Sequence, residues 1–139
     1  VLGVDGRKMS KSYGNTLPIF GEEKPLKKLI MKIQTDSTPV EEPKPTENST
    51  ILALYKLFAS ESDYQTMIAD HQRGGVGYGD LKKRLAEAYW DFFTDMRQRR
   101  AEILADPGYV DQVLAAGAGR AREEAAKVLD RVRRAAGLI

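Results

Sequence analysis

The 139-residue sequence contains no cysteine and only one histidine, His71. Without thiols there is no disulfide framework, no zinc knuckle and no cysteine nucleophile, and one imidazole cannot build a His-rich metal site. No metal ligands are therefore expected, and a chain without thiols suits a reducing, cytoplasmic setting. No apolar run approaches the roughly 20 residues that a membrane span requires, and the first residues lack the basic-then-apolar plan of a secretory signal. The expectation is a soluble protein with no membrane partner. An excess of either charge is lacking too: 22 basic and 20 acidic side chains leave a net +2, so any affinity for nucleic acid must be local. With 139 residues, 42% of them apolar, the chain is long enough for one modest core and too short for the usual pair of independent domains. The opening Val1-Leu2-Gly3-Val4 begins on apolar residues with no methionine. That is the look of a cut through a folded domain, which processing or trimming would equally produce.

Charge is nevertheless unevenly placed. Residues 1–35 carry a net +4, residues 36–70 a net −5, and the two following stretches +2 and +1. Residues 1–4 read as a strand end followed by the turn chemistry of Asp5-Gly6. From Pro25 the apolar residues Leu26, Leu29, Ile30 and Ile33 recur at helical spacing, predicting a helix that stops near Asp36. Pro39, Pro43 and Pro45 then exclude a continuous helix or a central strand, so this segment reads as a connector. Ser49 or Thr50 can cap a short helix with Ile51, Leu54, Tyr55 and Phe58 on its buried stripe, and Tyr64, Met67, Ile68 and His71 mark another. Asp80 is positioned to cap a helix of about 25 residues running from Leu81 past Ile103, the longest expected. Asp106-Pro107 opens a further helix, which Gly117 and Gly119 should break before a last one containing Ala125, Val128, Leu129 and Val132.

The sharpest local signal is Lys8-Met9-Ser10-Lys11-Ser12, flanked by Gly6 and Gly14. Two lysines, two hydroxyls and glycine flanks are what a mobile clamp for phosphate oxygens needs. Lysine brings a point charge on a long stem, hydroxyls bring donors, and glycines let the backbone close and reopen. The bland alternative is a solvated basic loop. The order of the residues weighs against it, since a given pentapeptide arises by chance in a chain of this length roughly once in 24,000.

That pentapeptide reproduces the signature of class I aminoacyl-tRNA synthetases. The wider string Asp5-Gly6-Arg7-Lys8-Met9-Ser10-Lys11-Ser12-Tyr13-Gly14-Asn15 resembles the form found in the tryptophanyl-tRNA synthetase family. So do Thr35-Asp36-Ser37-Thr38-Pro39, Ala53-Leu54-Tyr55-Lys56-Leu57-Phe58, Gly77-Tyr78-Gly79-Asp80-Leu81-Lys82-Lys83 and the stretch 97–113. The resemblance implies ATP-dependent activation of tryptophan to an adenylate and its transfer to the tRNA for tryptophan, with Mg²⁺ accompanying the triphosphate. It implies that Lys8 and Lys11 neutralise charge on the departing pyrophosphate, that Ser10 and Ser12 bond phosphate oxygens, and that Met9 anchors the loop. A homodimer is implied for the full-length enzyme. The family's other signature, a His-x-Gly-His-type element, is absent, and His71 follows the pentapeptide instead of preceding it. The chain therefore reads as the C-terminal portion of such an enzyme, catalytically incomplete by itself.

The expected fold is mainly α: residues 1–36 as the remnant of a Rossmann-like α/β catalytic domain with the loop and its following helix, residues 37–50 as a connector, and residues 51–139 as a helical bundle that binds the tRNA anticodon. Arg97, Arg99 and Arg100 are candidates for RNA phosphate contact, set against a solvated helix end that complements its own dipole. His71 reads as a half-buried structural histidine and Trp90 as core. Two rival readings stand beside the main one: a tyrosyl-tRNA synthetase or related nucleotidyl transferase, and a non-catalytic helical module that binds RNA or protein.

Overall fold

Pro25, in the first turn of a helix where its missing N–H costs no bond, stands near the start of α1 (Glu23–Met31) in a computed structural model that describes all 139 residues. Five further α-helices follow: α2 (Thr50–Tyr55), α3 (Glu61–Arg73), α4 (Tyr78–Phe92), α5 (Thr94–Ala105) and α6 (Pro107–Ala135). There is no β-strand. Residues 1–4 form no strand, contrary to expectation; their pairing is one isolated antiparallel bridge between Leu2 and Lys8. The reason lies in where the backbone bonds go. Val4 N–H donates to the Asn15 carbonyl at 3.1 Å and the Val4 carbonyl accepts from Gln34 N–H at 3.0 Å, so two loops use the groups that a neighbouring strand would need.

The chain divides into two compact units, residues 1–97 and 98–139. In the first, α1 and α2 both pack on α4, and α2 also packs on α3. Leu26 and Ile30 of α1, Ile51 and Leu54 of α2, Met67 of α3 and Leu81 and Leu85 of α4 make a core from which water is excluded, and this apolar burial is the main stabilising term. α1 stops at Met31, earlier than Asp36, because Lys32 and Ile33 N–H turn to carbonyls three residues back and Gln34 N–H leaves the helix for Val4. The Lys82 ammonium from α4 meets the freed Met31 carbonyl at 3.3 Å, a cation at a helix C-terminus. Of the two caps the spacing offers, Ser49 is the N-cap of α2, its hydroxyl accepting from Leu52 N–H, and Thr50 is the first helical residue.

The stretch 37–49 contains no regular element, yet it is tied down. Lys44, buried, donates through Nζ to the carbonyls of Pro39, Val40 and Glu42, each at 3.2 Å, and its N–H donates to the His71 carbonyl at 2.7 Å. Asp70, also buried, receives Arg84 from α4 at 2.7 Å, and that guanidinium holds its carboxyl below the usual range.

His71 is fully buried; its Nδ1–H donates to the Met67 carbonyl at 2.8 Å, while Nε2 has no partner. Burial, with Lys44 nearby, holds the imidazole below its ordinary value of 6.5. The unfolded chain therefore protonates first, and stability that is complete above the ordinary value is lost progressively as pH falls below it. Urea unfolding from pH 7 to 5.5 is expected to show this decline, and His71→Gln is expected to flatten it.

The expected 25-residue helix from Leu81 is two helices. Phe93 departs from helical geometry (φ −96°, ψ 12°), with its ring 4.9 Å from Tyr89 and 5.6 Å from Phe58. The Trp90 carbonyl at this break takes bonds from the Thr94 hydroxyl and the Arg97 guanidinium. The N-cap of α4 is Gly77 and not Asp80, which lies in the first turn and pairs with Lys83 at 2.9 Å. The longest helix is instead α6, which runs through Gly117 and Gly119 without a break. Each interior glycine costs about 1 kcal/mol, and the alanines at 115, 116, 118 and 121 offset that locally. Asp106 caps it, accepting from Tyr109 N–H at 3.2 Å. No residue of α6 is buried, and Leu114, Val128, Leu129 and Val132 on it stand about half exposed or more. No helix is long and apolar enough to cross a membrane.

Candidate functional site

The segment carrying Lys8, Met9, Ser10, Lys11 and Ser12 is held from below by short-range backbone bonds. Gly3 N–H donates to the Arg7 carbonyl at 2.6 Å and Met9 N–H to the Val1 carbonyl at 2.9 Å, closing a narrow turn over residues 1–9. Ser10 is extended, Lys11–Tyr13 forms a single 3-10 turn, and Gly14 ends it at φ 63°, in the left-handed region that glycine occupies without penalty. Met9 is half-buried and packs against the core.

The turn closes around Asn15, a side chain only 2% exposed. Its amide donates to the Asp5 carboxylate at 2.8 Å and the Lys8 carbonyl at 3.2 Å, and it accepts from Ser10 N–H at 2.8 Å. Gly3 is required beside it: a Cβ there would lie 2.6 Å from the Asn15 side chain and backbone oxygen. Asp5 also takes the Arg7 guanidinium at 2.7 Å, and these bonds, that from Asn15 first, lower its pKa to about 2. Arg7 also lies 4.6 Å from the Tyr13 ring centre and is thereby committed within the loop.

Lys8 and Lys11 differ from Arg7. Both are exposed, and neither ammonium group has an ion-pair or hydrogen-bond partner. Ser10 and Ser12 hydroxyls face each other at 2.7 Å. The result is two uncommitted positive charges and a pair of hydroxyls raised on a pinned backbone. Such an arrangement can bind and stabilise a polyanion. No group of three or more His, Asp or Glu side chains is placed to hold a metal ion.

The three arginines singled out by the sequence are differently engaged. Arg97 is half-buried, its guanidinium 3.5 Å from the centre of the Trp90 ring and bonded to the Thr94 hydroxyl at 2.9 Å. Arg99 pairs with Glu102 at 3.0 Å and meets the Tyr109 hydroxyl at 3.4 Å. Arg100 is exposed on α5. Trp90 itself is half-buried and packs against the core.

Gly3 and Asn15 have no role legible in the sequence, and Asp5 reads there only as part of a turn, although all three flank the pentapeptide. The available signal was a polar pair, Asp5 and Asn15, bracketing a loop that otherwise has no hydrophobic anchor except Met9.

With this geometry in view, comparison with known proteins is specific. The family model described as "tRNA synthetases class I (W and Y)" matches residues 1–94. The chain is 50% identical over 138 residues to a tryptophan–tRNA ligase of Rhodopirellula baltica, covering 99% of this chain and 43% of that relative. It is 41% identical over 138 residues to the Campylobacter jejuni tryptophan–tRNA ligase, with the same coverage of each. The crystal structure of tryptophanyl-tRNA synthetase from Campylobacter jejuni complexed with ADP and tryptophan superposes with a TM-score of 0.92 over 99% of this chain and 43% of that one. The chain thus spans well under half the length of these relatives. On the match of residues 1–94 and the identity across nearly all of its length, the chain belongs to the class I tRNA synthetases of the W and Y family.

Proposed function

We propose that this chain supplies the triphosphate loop and the helical body of a tryptophan–tRNA ligase, which activates tryptophan with ATP and transfers it to its tRNA. The observation that carries the reading is the pair of exposed, unpartnered ammonium groups of Lys8 and Lys11 on a backbone fixed from beneath. The identity to tryptophan–tRNA ligases supports tryptophan over tyrosine as the amino acid.

In the activation step the tryptophan carboxylate attacks the α-phosphorus of ATP, and the bond to the β-phosphate oxygen breaks as pyrophosphate leaves. Negative charge accumulates on that leaving group. Lys8 and Lys11 neutralise it, Lys11 foremost, and the Ser10 and Ser12 hydroxyls turn from each other to phosphate oxygens. A lysine that closes on its partner only as the bond breaks lowers the barrier without over-binding ATP. Mg²⁺ enters with the triphosphate as part of the substrate. Met9, held in apolar surroundings, keeps the loop seated while its lysines move.

Residues 1–36 are read as the end of a Rossmann-like catalytic domain, 37–50 as a connector, and 51–139 as the domain that faces the anticodon. Arg97, Arg99 and Arg100 are the candidates for tRNA contact; in that role Arg99 exchanges Glu102 for phosphate. The full-length ligase acts as a homodimer in the cytoplasm.

The test is a chimeric ligase in which this chain replaces the matching segment of the Rhodopirellula baltica relative. It is expected to charge the tRNA for tryptophan with tryptophan. Failure to charge, where the unsubstituted relative does so under the same conditions, contradicts the proposal.

A further inference from the structure

Lysine side chains are long and rotamer-rich, so two of them converge on one phosphate group only if the backbone beneath them is fixed. Asn15 performs that fixing from outside the pentapeptide. Its amide grips the chain on both sides of Met9, donating to the Lys8 carbonyl at 3.2 Å and accepting from Ser10 N–H at 2.8 Å. Its other N–H goes to Asp5 at 2.8 Å, and that contact sets which way the amide faces. Rotated by half a turn, the amide would point its N–H groups at the Ser10 donor and its oxygen at two acceptors. At 2% exposure Asn15 has no surface with which to touch a substrate. Whatever it contributes to a reaction passes through the backbone of the loop.

We propose that Asn15, its orientation locked by Asp5, is a positioning residue for amino-acid activation: it fixes the Lys8–Ser10 backbone so that the Lys8 and Lys11 ammonium groups close on the same point at each turnover. The inference rests on the proposed function and deepens it. It assigns to the activation step a residue that is buried, neutral and outside the signature pentapeptide. It also separates the two steps of the reaction, since a loop that serves the triphosphate has no charge to stabilise once pyrophosphate has left.

The experiment uses the chimeric ligase with Asn15→Ala. The kcat of tryptophan-dependent exchange of pyrophosphate into ATP is expected to fall by on the order of 10- to 100-fold, with the KM for ATP changed by less than about threefold. Transfer of tryptophan from chemically prepared tryptophanyl-adenylate to tRNA is expected to keep its rate. A residue that merely supports the fold would slow both steps, so equal losses, or an unchanged exchange rate, would overturn the inference. A second variant guards against a folding defect. Asn15→Asp sets two carboxylates against each other and is expected to fall below Asn15→Ala, and adding Asp5→Asn returns a donor to that contact and should restore about tenfold. No restoration would count against the pairing. If the unsubstituted chimera lacks tryptophan-dependent exchange, the proposed function itself fails, an outcome distinct from those that address Asn15.

Discussion

Lys11→Ala in the chimeric ligase is expected to slow formation of tryptophanyl-adenylate by on the order of 10²- to 10³-fold, while the affinity for ATP changes little. The direction of the split follows from the role proposed for Lys11. The Lys11 side chain is exposed and without a partner, so nothing in the folded loop is lost when it is removed. Under the proposed function its value arises only when charge develops on the departing pyrophosphate, an interaction present in the transition state and weak in the ground state. Single-turnover kinetics with saturating ATP measures the chemical step apart from product release. Equal losses in rate and in ATP binding would contradict the role, because they would mark Lys11 as an ordinary binding contact.

Leu85→Ala is expected to destabilise the chain by about 3 kcal/mol. Leu85 is fully buried on α4, the helix against which both α1 and α2 pack. Removing its branch forfeits the apolar transfer energy and leaves a cavity that three helices cannot collapse together. Val128→Ala provides the contrast. Val128 is 50% exposed on α6, and its truncation is expected to change stability by less than about 0.5 kcal/mol. Urea unfolding, with the slope on denaturant held constant, measures both. A cost at Val128 equal to that at Leu85 would mean that the apolar side of α6 is covered.

The helices of the first unit were legible where their apolar residues recur at the helical period, and at α2 the cap is chemically explicit, whereas α4 is capped by Gly77, which has no side chain to announce it. Leu26 with Ile30, Ile51 with Leu54, and Ser49 before α2 all lie where the pattern puts them. What the sequence obscured was mostly decided by competition for backbone bonds. The residues 1–4 carry strand-forming side chains, but the Val4 N–H and carbonyl are taken by Asn15 and Gln34, and the Gly3 N–H and Val1 carbonyl by Arg7 and Met9. The long apolar stripe after Leu81 continues across Phe93 without a visible interruption, because the break there comes from aromatic packing and from side chains on the Trp90 carbonyl. Gly117 and Gly119 misled in the opposite sense, since the cost of a glycine depends on its neighbours and theirs are alanines.

The candidate site was legible in one respect and hidden in another. The pentapeptide announced itself by residue order, and Lys8 and Lys11 stand free as a phosphate clamp requires. The support beneath them was not visible, because Asn15 and Asp5 act by hydrogen bonds across ten residues and Gly3 by the absence of a side chain. The polar pair Asp5 and Asn15 is visible in the sequence, but not that the two meet, and a glycine does not announce what its missing side chain would strike. The same holds for Arg97, whose stacking on Trp90 is a contact across two turns of a helix broken at Phe93. Its positive charge was evident from the sequence, and its engagement was not.

The most direct measurement is exchange of pyrophosphate into ATP by the chimeric ligase, run with tryptophan and with tyrosine, and repeated with Lys8 and Lys11 both replaced by alanine. Exchange that depends on tryptophan, is absent with tyrosine and is lost in the double variant is the predicted result. Exchange supported by tyrosine, or a double variant as active as the unsubstituted chimera, would contradict it.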